Sequence, residues 1–347
     1  MKLIRPAILV GAVALVFAIA FTGHLSGDDT LSGEWRMTYS EARDSFRFEA
    51  RMHTATSNSN WSESDSLAKF RALHVCEDQL GKSVVHCDLN REAGTVTLDG
   101  HFSGESGSGT FRFACREDFR RQMSGLGYPG LSVDECFGFA RRNIGIAFVQ
   151  QVRSTGFSSV SINQLENLSI HNVSIDYLKA MLSSVGKRPD PDDIVNLRIH
   201  DVNPDYTQAM SEQGLGKLSS DELVNLKIHD VRPELAGALH GLGYDRVSAD
   251  DLVNMRIHDV RPEFARGLAG LGVRRPSMDD LVNLRIHGVT VEYVRGFKDA
   301  GYDHLSADEL VNMRIHGVTP EWVRELQARG IKNLSPDELV DMKIHGR

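Results

Sequence analysis

The chain has 347 residues, of which 39 are lysine or arginine and 47 are aspartate or glutamate, so its formal net charge is −8 at pH 7. Proteins that bind nucleic acid present a basic face to its phosphates, and this balance argues against nucleic acid as a partner. After residue 22, no apolar run is long enough to span a bilayer.

The N-terminus carries the pattern of an export signal. Lys2 and Arg5 precede an apolar run over 7–21 that includes an A-x-A sequence near its end, and this order is typical of a cleaved signal peptide. The run is also close to the shortest length that spans a membrane. The sequence therefore predicts a signal peptide or an uncleaved N-terminal membrane anchor over 1–23, followed by a linker over 24–33.

A stretch with strand character follows. Segments typical of strands stand at 46–50, 95–100 and 110–113, and a Gly/Ser-rich turn at 104–109 separates the last two. These are hairpin signals. We expect a small all-β domain over 34–113.

The rest of the chain repeats itself every 29 residues. The dipeptide Ile-His recurs seven times at this interval, without an insertion or deletion. Its histidines are His171, His200, His229, His258, His287, His316 and His345. A strict period of this length is typical of a repeat array, in which each unit buries its apolar face against its neighbours.

Each unit contains two helix starts. The first is a capping box, as in Ser306 with Glu309, where the hydroxyl and the carboxylate each accept a backbone N–H. The cap position is filled in eight units by Ser132, Ser161, Asp190, Ser219, Ser248, Ser277, Ser306 and Ser335. Several units mark the second start with a proline at the first helical position, as in Pro320.

A glycine in the left-handed conformation is expected to end the second helix. The glycines at this position are Gly127, Gly156, Gly214, Gly243, Gly272, Gly301 and Gly330. The unit at Val185 and Gly186 is offset by one residue, which predicts a local irregularity there.

The register of the units gives the architecture. An array over 114–347 comprises a half unit, seven full units from 131 to 333, and a terminal half unit. The predicted fold is therefore α+β, with a small all-β N-terminal head followed by an α-solenoid of two-helix, 29-residue repeats.

The four cysteines of an exported chain can form two disulfides, with three pairings open. Cys115 and Cys136 occupy apolar positions in adjacent units and are expected to face each other. Cys76 and Cys87 would then pair within the β head. The alternative is that all four are free and packed.

The histidine column invites a metal hypothesis. Packed helices lie about 8–10 Å apart, whereas two histidines on one zinc ion need much closer nitrogens. No repeating cysteine or second histidine completes a site. We favour a structural role near the C-terminus of the first helix, with no metal and no cofactor, and a response to pH as a further option.

An asparagine column precedes the histidines by four residues, on the same helix face. It consists of Asn167, Asn196, Asn225, Asn254, Asn283 and Asn312, with Asp341 in the last unit. One interpretation is a groove in which amides bond the backbone of an extended peptide, by analogy with armadillo-type solenoids. The other is an internal ladder whose amides bond the turns between helices, and the sequence favours this second interpretation.

The remaining repeat positions have simpler interpretations. Leu310, Val311, Met313 and Ile315 are assigned to the core. Arg314 and its equivalents are assigned to solvated charges that suit the end of a helix. These equivalents are Arg198, Lys227, Arg256, Arg285 and Lys343.

The repeat core at 314–321 (RIHGVTPE) resembles the helical repeats of exported bacterial proteins, and of segments appended to BlaR-type membrane sensor peptidases. The stretches 92–100 (EAGTVTLDG) and 109–113 (GTFRF) are similar to the β segment that precedes such repeats. The resemblance implies an envelope or sensor-associated role, in the bacterial periplasm or anchored in the membrane and facing it. It implies no peptidase activity, because the H-E-x-x-H helix and the multi-span membrane domain are missing.

Three functions remain open. The first is a non-enzymatic exported scaffold that binds a protein or peptide along the repeats and meets the membrane only through its N-terminal segment. The second is an envelope sensor in which the β head detects a ligand. The third is an enzyme with its site in the head, although the titratable residues there form no recognisable triad. These residues are His53, His74, His86, Glu77 and Asp78.

Overall fold

A computed structural model describes residues 30–39, 45–53, 58–66 and 84–346. The chain is an α+β protein, as predicted, with strands first and helices after them. Its contacts divide it into two compact units, 1–143 and 144–347. The predicted signal peptide or anchor over 1–23 lies outside the described residues.

The first unit contains one antiparallel sheet of six described strands, in the order β3-β2-β1-β6-β5-β4. The strands are β1 Thr30–Tyr39, β2 Ser45–His53, β3 Asn58–Ser66, β4 Val85–Asn90, β5 Gly94–Ser103 and β6 Ser106–Cys115. The sheet thus begins at Thr30, inside the segment expected to be a linker. Leu31, Trp35 and Met37 are buried and alternate with exposed residues, which makes β1 a strand with one face in the core.

Two helices of the first unit follow the sheet, α1 (Glu117–Gly125) and α2 (Val133–Arg141). The Phe137 ring of α2 packs 5.9 Å from that of Phe111 and 5.3 Å from that of Phe113, both on β6. Helix α2, which is part of the repeat pattern, therefore shares a core with the sheet. The contacts place the division between the units after Asn143, whereas the sequence pattern changes at residue 114.

A disulfide joins the end of the sheet to α2. Cys115 and Cys136 are bonded, with their Cα atoms 5.8 Å apart, which confirms this predicted pair. Cys87 is also disulfide-bonded. Its predicted partner, Cys76, lies outside the described residues.

The second unit is an array of short helices in two rows. The first helices of the repeats form the A row: α4 Ile162–Ile170, α6 Pro191–Ile199, α8 Ser220–Ile228, α10 Ala249–Ile257, α12 Met278–Ile286, α14 Ala307–Ile315 and α16 Pro336–His345. The second helices form the B row: α3 Ile146–Ser154, α5 Ile175–Ser184, α7 Pro204–Met210, α9 Pro233–Gly241, α11 Pro262–Gly270, α13 Val291–Asp299 and α15 Pro320–Ala328. Each A helix packs on the next A helix, and from α5 onward each B helix packs on the next B helix.

Local hydrogen bonds explain why these short helices start and stop where they do. All eight predicted capping boxes are present, with the cap side chain and the N3 side chain both bonded to backbone N–H groups. The seven predicted glycines all have a positive φ, between 82° and 95°. Helices this short are marginal alone, so stacking between layers must hold them.

The array is irregular in two neighbouring places. Helix α5 ends at Val185 in an extended conformation rather than at a left-handed glycine, and the Gly186 N–H bonds to the Leu218 carbonyl. Helix α7 continues into a π-helical turn over Ser211–Leu215. The sequence indicated the first irregularity and not the second.

Candidate functional site

The solvent side of the A row carries a column of exposed isoleucines, one per helix at the ninth helical position. Ile170 is 42 % exposed and the other six are 53–57 % exposed. The column consists of Ile170, Ile199, Ile228, Ile257, Ile286, Ile315 and Ile344. The assignment of Ile315 to the core is therefore wrong. The helix continues to this residue, and the helical phase turns it away from buried Leu310 and Met313.

The asparagine column lies beside the isoleucines. Each asparagine is at the sixth helical position, three residues before an isoleucine, so the two side chains are neighbours on one face. Asn254 is exposed and the other five are half-buried. Among the described residues, none of these side-chain amides has a hydrogen-bond partner. The interpretation as an internal ladder, which the sequence favoured, has no such bonds to support it.

An acidic column completes this surface. The second helical position is aspartate in six consecutive A helices, and all six are exposed. They are Asp192, Asp221, Asp250, Asp279, Asp308 and Asp337. At 3.6 residues per turn, positions two, six and nine lie within about 60° of one another. We call this surface of aspartate, asparagine and isoleucine the A face. Its acidic and apolar columns were not predicted, although both follow from the number of residues after the cap.

The first six histidines are the residues that cap the A helices at their C-terminal ends, whereas His345 is the last residue of α16. From His171 to His316 each has a φ near −90°, and the backbone N–H of each bonds to the carbonyl of the asparagine four residues before it. His345 differs, because its Nδ1 lies 2.9 Å from Asp341 Oδ1. In the described part of the chain, no three histidine, cysteine or acidic side chains are grouped as metal ligands.

The basic residues at position eight contact aromatic rings of the preceding layer. Lys227 Nζ lies 4.7 Å from the ring centroid of Tyr206, and the Arg314 guanidinium lies 5.0 Å from that of Tyr293. The same contact joins Arg198 to Tyr177, Arg285 to Phe264 and Lys343 to Trp322. Arg198, Arg314 and Lys343 are exposed, in keeping with the predicted solvated charges. What the prediction did not include is that these cations also lie over ring faces.

The tyrosines of this column also join adjacent layers through their hydroxyl groups. The phenol of Tyr206 donates to the Val231 carbonyl at 2.8 Å, and that of Tyr293 donates to the Val318 carbonyl at 2.8 Å. Tyr177 donates to the Val202 carbonyl at 2.6 Å. Each contact links a B helix to the loop that follows the next A helix.

Burial of Tyr177 predicts an alkaline limit to stability. Desolvation raises the pKa of its phenol from 10.0 to about 12, so the folded state prefers the neutral form. The stabilisation by this residue should be complete below pH 10 and lost as the pH rises to about 12. We expect the wild-type protein to resist urea better than Tyr177→Phe at pH 8, with no advantage left at pH 12. Titration of the Tyr177 phenol near pH 10 in the folded protein, measured by absorbance at 295 nm, would contradict this prediction.

The sheet also carries clustered charge on one face. A cleft of about 400 Å³ is lined by Glu34, Arg36, Glu49, Arg51 and Thr110, among others. Opposite charges on neighbouring strands are typical of a solvated sheet face.

Of the catalytic candidates in the head, only His86 has its side chain in the described part of the chain. His86 is exposed and contacts Asp99 at 2.5 Å, and the hydrogen bond and charge of Asp99 raise the pKa of His86. The side chain of His53 is outside the description, as are His74, Glu77 and Asp78.

Two further observations bear on function. Within the described residues, no helix is both long enough and apolar enough to cross a membrane. No protein-family model matches the chain, and no curated protein matches it. The likeness to sensor-associated repeats therefore stays a prediction, and the A face has to be interpreted from its own chemistry.

Proposed function

We propose that this protein is a non-enzymatic, exported scaffold whose A face binds an extended, basic polypeptide. The observation that carries the proposal is the alignment of half-buried amides without partners beside exposed isoleucines, repeated along the A row. Export rests on the N-terminal sequence pattern, which lies outside the described residues.

The amides supply the polar half of the interaction. A side-chain amide donates to a carbonyl and accepts from an N–H, so it can bond both groups of a peptide backbone. A peptide in the polyproline II conformation leaves those groups free, because it has no internal hydrogen bonds. Half-buried amides such as Asn225 and Asn283 would gain partners that the fold itself does not provide.

The spacing of the layers favours that conformation. Packed helices lie about 8–10 Å apart, and one three-residue turn of polyproline II advances about 9.3 Å. Every third side chain of such a peptide would therefore meet the same column. In a β-strand, side chains three residues apart point to opposite faces, so they could not all contact the isoleucines.

The isoleucines and aspartates specify the side chains of the partner. A contiguous row of exposed apolar residues is typical of an interaction surface, and it would take an apolar residue at every third position of the peptide. The aspartate column attracts lysine or arginine at the positions between. The formal net charge of −8 would also speed the encounter with a cationic partner.

A designed peptide tests the proposal directly. The probe is a fluorescent 15-residue peptide of Pro-Leu-Lys triplets, and binding to the purified protein is measured by anisotropy at two salt concentrations. Changing Ile228, Ile257 and Ile286 to alanine should weaken binding about ten-fold or more, because each contact loses buried apolar area. Affinity should also fall at the higher salt concentration, because the charges are exposed.

Three controls make the result specific. The pair Glu292→Ala and Arg295→Ala alters exposed residues of α13 on the B row without changing the net charge, and it should bind as the wild type does. A shuffled peptide of the same composition should bind more weakly, and so should one with glutamate in place of lysine. The proposal fails if the shuffled peptide binds equally, or if the folded isoleucine variant keeps wild-type affinity.

A further inference from the structure

One layer of the second unit departs from the aromatic pattern of the others. The position beneath the Arg256 side chain is Leu235, where the corresponding layers have Tyr177, Tyr206, Phe264, Tyr293 or Trp322. An open cleft of about 470 Å³ lies there, lined by Leu235, Met255, Arg256, Val260 and neighbouring charged residues. Its volume falls within the usual range of ligand sites.

The other layers show which group this space suits. In three of them a tyrosine ring lies beneath the cation at position eight, at 4.7–5.4 Å, and its hydroxyl donates to a valine carbonyl in the next loop. The equivalent carbonyl in the leucine layer is that of Val260, which lines the cleft. Leucine has no hydroxyl, so residue 235 supplies no phenol to this carbonyl.

The cation is held in place without a ring. Arg256 Nη2 lies 2.8 Å from Asp230 Oδ2, and Arg256 Nε donates to the His229 carbonyl at 3.3 Å. A ring can be added without loss of such an ion pair. In the next layer, Arg285 lies 3.5 Å from Asp259 and still lies over the Phe264 ring.

We infer that this cleft binds the phenol ring of a tyrosine side chain from a partner polypeptide. The ring would lie beneath Arg256 and pack on Leu235 and Met255, and its hydroxyl would donate to the Val260 carbonyl. The inference is independent of the proposed function, because none of these residues belongs to the A face.

The test uses N-acetyl-tyrosinamide as the probe and the ¹³C-methyl NMR signal of Met255 as the reporter. The signal should shift saturably, with a dissociation constant in the millimolar range expected for so small a ligand. N-acetyl-phenylalaninamide should bind about five-fold more weakly, which is the effect of one neutral hydrogen bond. N-acetyl-alaninamide should produce no saturable shift.

Two substitutions serve as matched variants. Leu235→Tyr should fill the cleft, abolish the Met255 response and raise Tm by about 2–4 °C, the shift that one added hydrogen bond would give in a unit of this size. Tyr293→Leu should open a second cleft, beneath Arg314, and make the equivalent Met313 respond. The leucine layer shows that the fold accepts leucine at this position.

The outcomes separate clearly. Equal responses to the tyrosine and alanine amides would overturn the inference, and so would a Met255 response that persists in folded Leu235→Tyr. A response of Met313 in Tyr293→Leu would show that the phenol site follows from the repeat geometry. Binding of the triplet peptide by Leu235→Tyr should be unchanged, so failure of this site and failure of the A face can be told apart.

Discussion

Replacing Leu284 with alanine is expected to lower the free energy of unfolding of the helical array by about 2–5 kcal/mol, the usual cost of truncating a buried leucine. Leu284 is fully buried in α12, which has an A helix on either side of it in the row. Each layer of a repeat array is stabilised mainly by its neighbours, so weakening one central layer weakens contacts on both sides of it. Urea denaturation followed by circular dichroism at 222 nm measures the change.

The matched control lies two residues away in the same helix. Ile286 is 54 % exposed, so Ile286→Ala should change the free energy of unfolding by no more than about 0.5 kcal/mol. Both substitutions remove side-chain carbon atoms from the same helix, and they differ mainly in burial. A comparable loss in the two variants would mean that the isoleucine column is part of the core and that the A face does not exist as described.

The second large effect is expected in the first unit. Removing the Cys115–Cys136 disulfide should cost about 3 kcal/mol, the stabilisation that a loop of this length gives by restricting the unfolded chain. The bond spans 21 residues and ties the end of β6 to the helix that covers the sheet. The double variant Cys115→Ala and Cys136→Ala tests it without a free thiol. Fluorescence in a Trp322→Phe background follows the first unit, because Trp35 is buried in the sheet.

The comparison with a reducing agent separates the two disulfides. Reduction breaks the bond of Cys87 as well, so reduced wild-type protein should be less stable than the oxidised double variant. If the double variant unfolds at the wild-type urea concentration, the bond adds nothing to stability, and packing contacts such as those of Phe137 are enough to hold α2 on the sheet.

The helix boundaries were predictable because they depend on neighbours in sequence. A capping box needs only residues three apart, and a left-handed glycine needs only itself, so Ser277 with Asp280 and Gly272 could be identified directly. The exposure of Ile286 could not be predicted in this way, because it depends on where α12 ends. Once the helix is known to include it, 3.6 residues per turn place it outside.

The contacts between layers were harder to predict. Lys227 lies 21 residues after Tyr206 in the chain, and only the stacking of layers brings the two together. The signal was present, since an aromatic column and a basic column keep this separation in most units. Neither column alone indicates the contact between a cation and a ring. The exception at Leu235 becomes visible only when the two columns are considered together.

The unbroken 29-residue register also bears on how such a chain can change length. Each layer bonds to the next through contacts at fixed separations, such as the phenol of Tyr206 on the Val231 carbonyl. A tandem duplication of one unit would supply both partners of every such contact, and the columns of the A face would stay aligned. Loss of a single residue would turn the following part of a helix by about 100°. The columns of the A face would then no longer be aligned. Genetic gain or loss of whole units is therefore the change this architecture tolerates best.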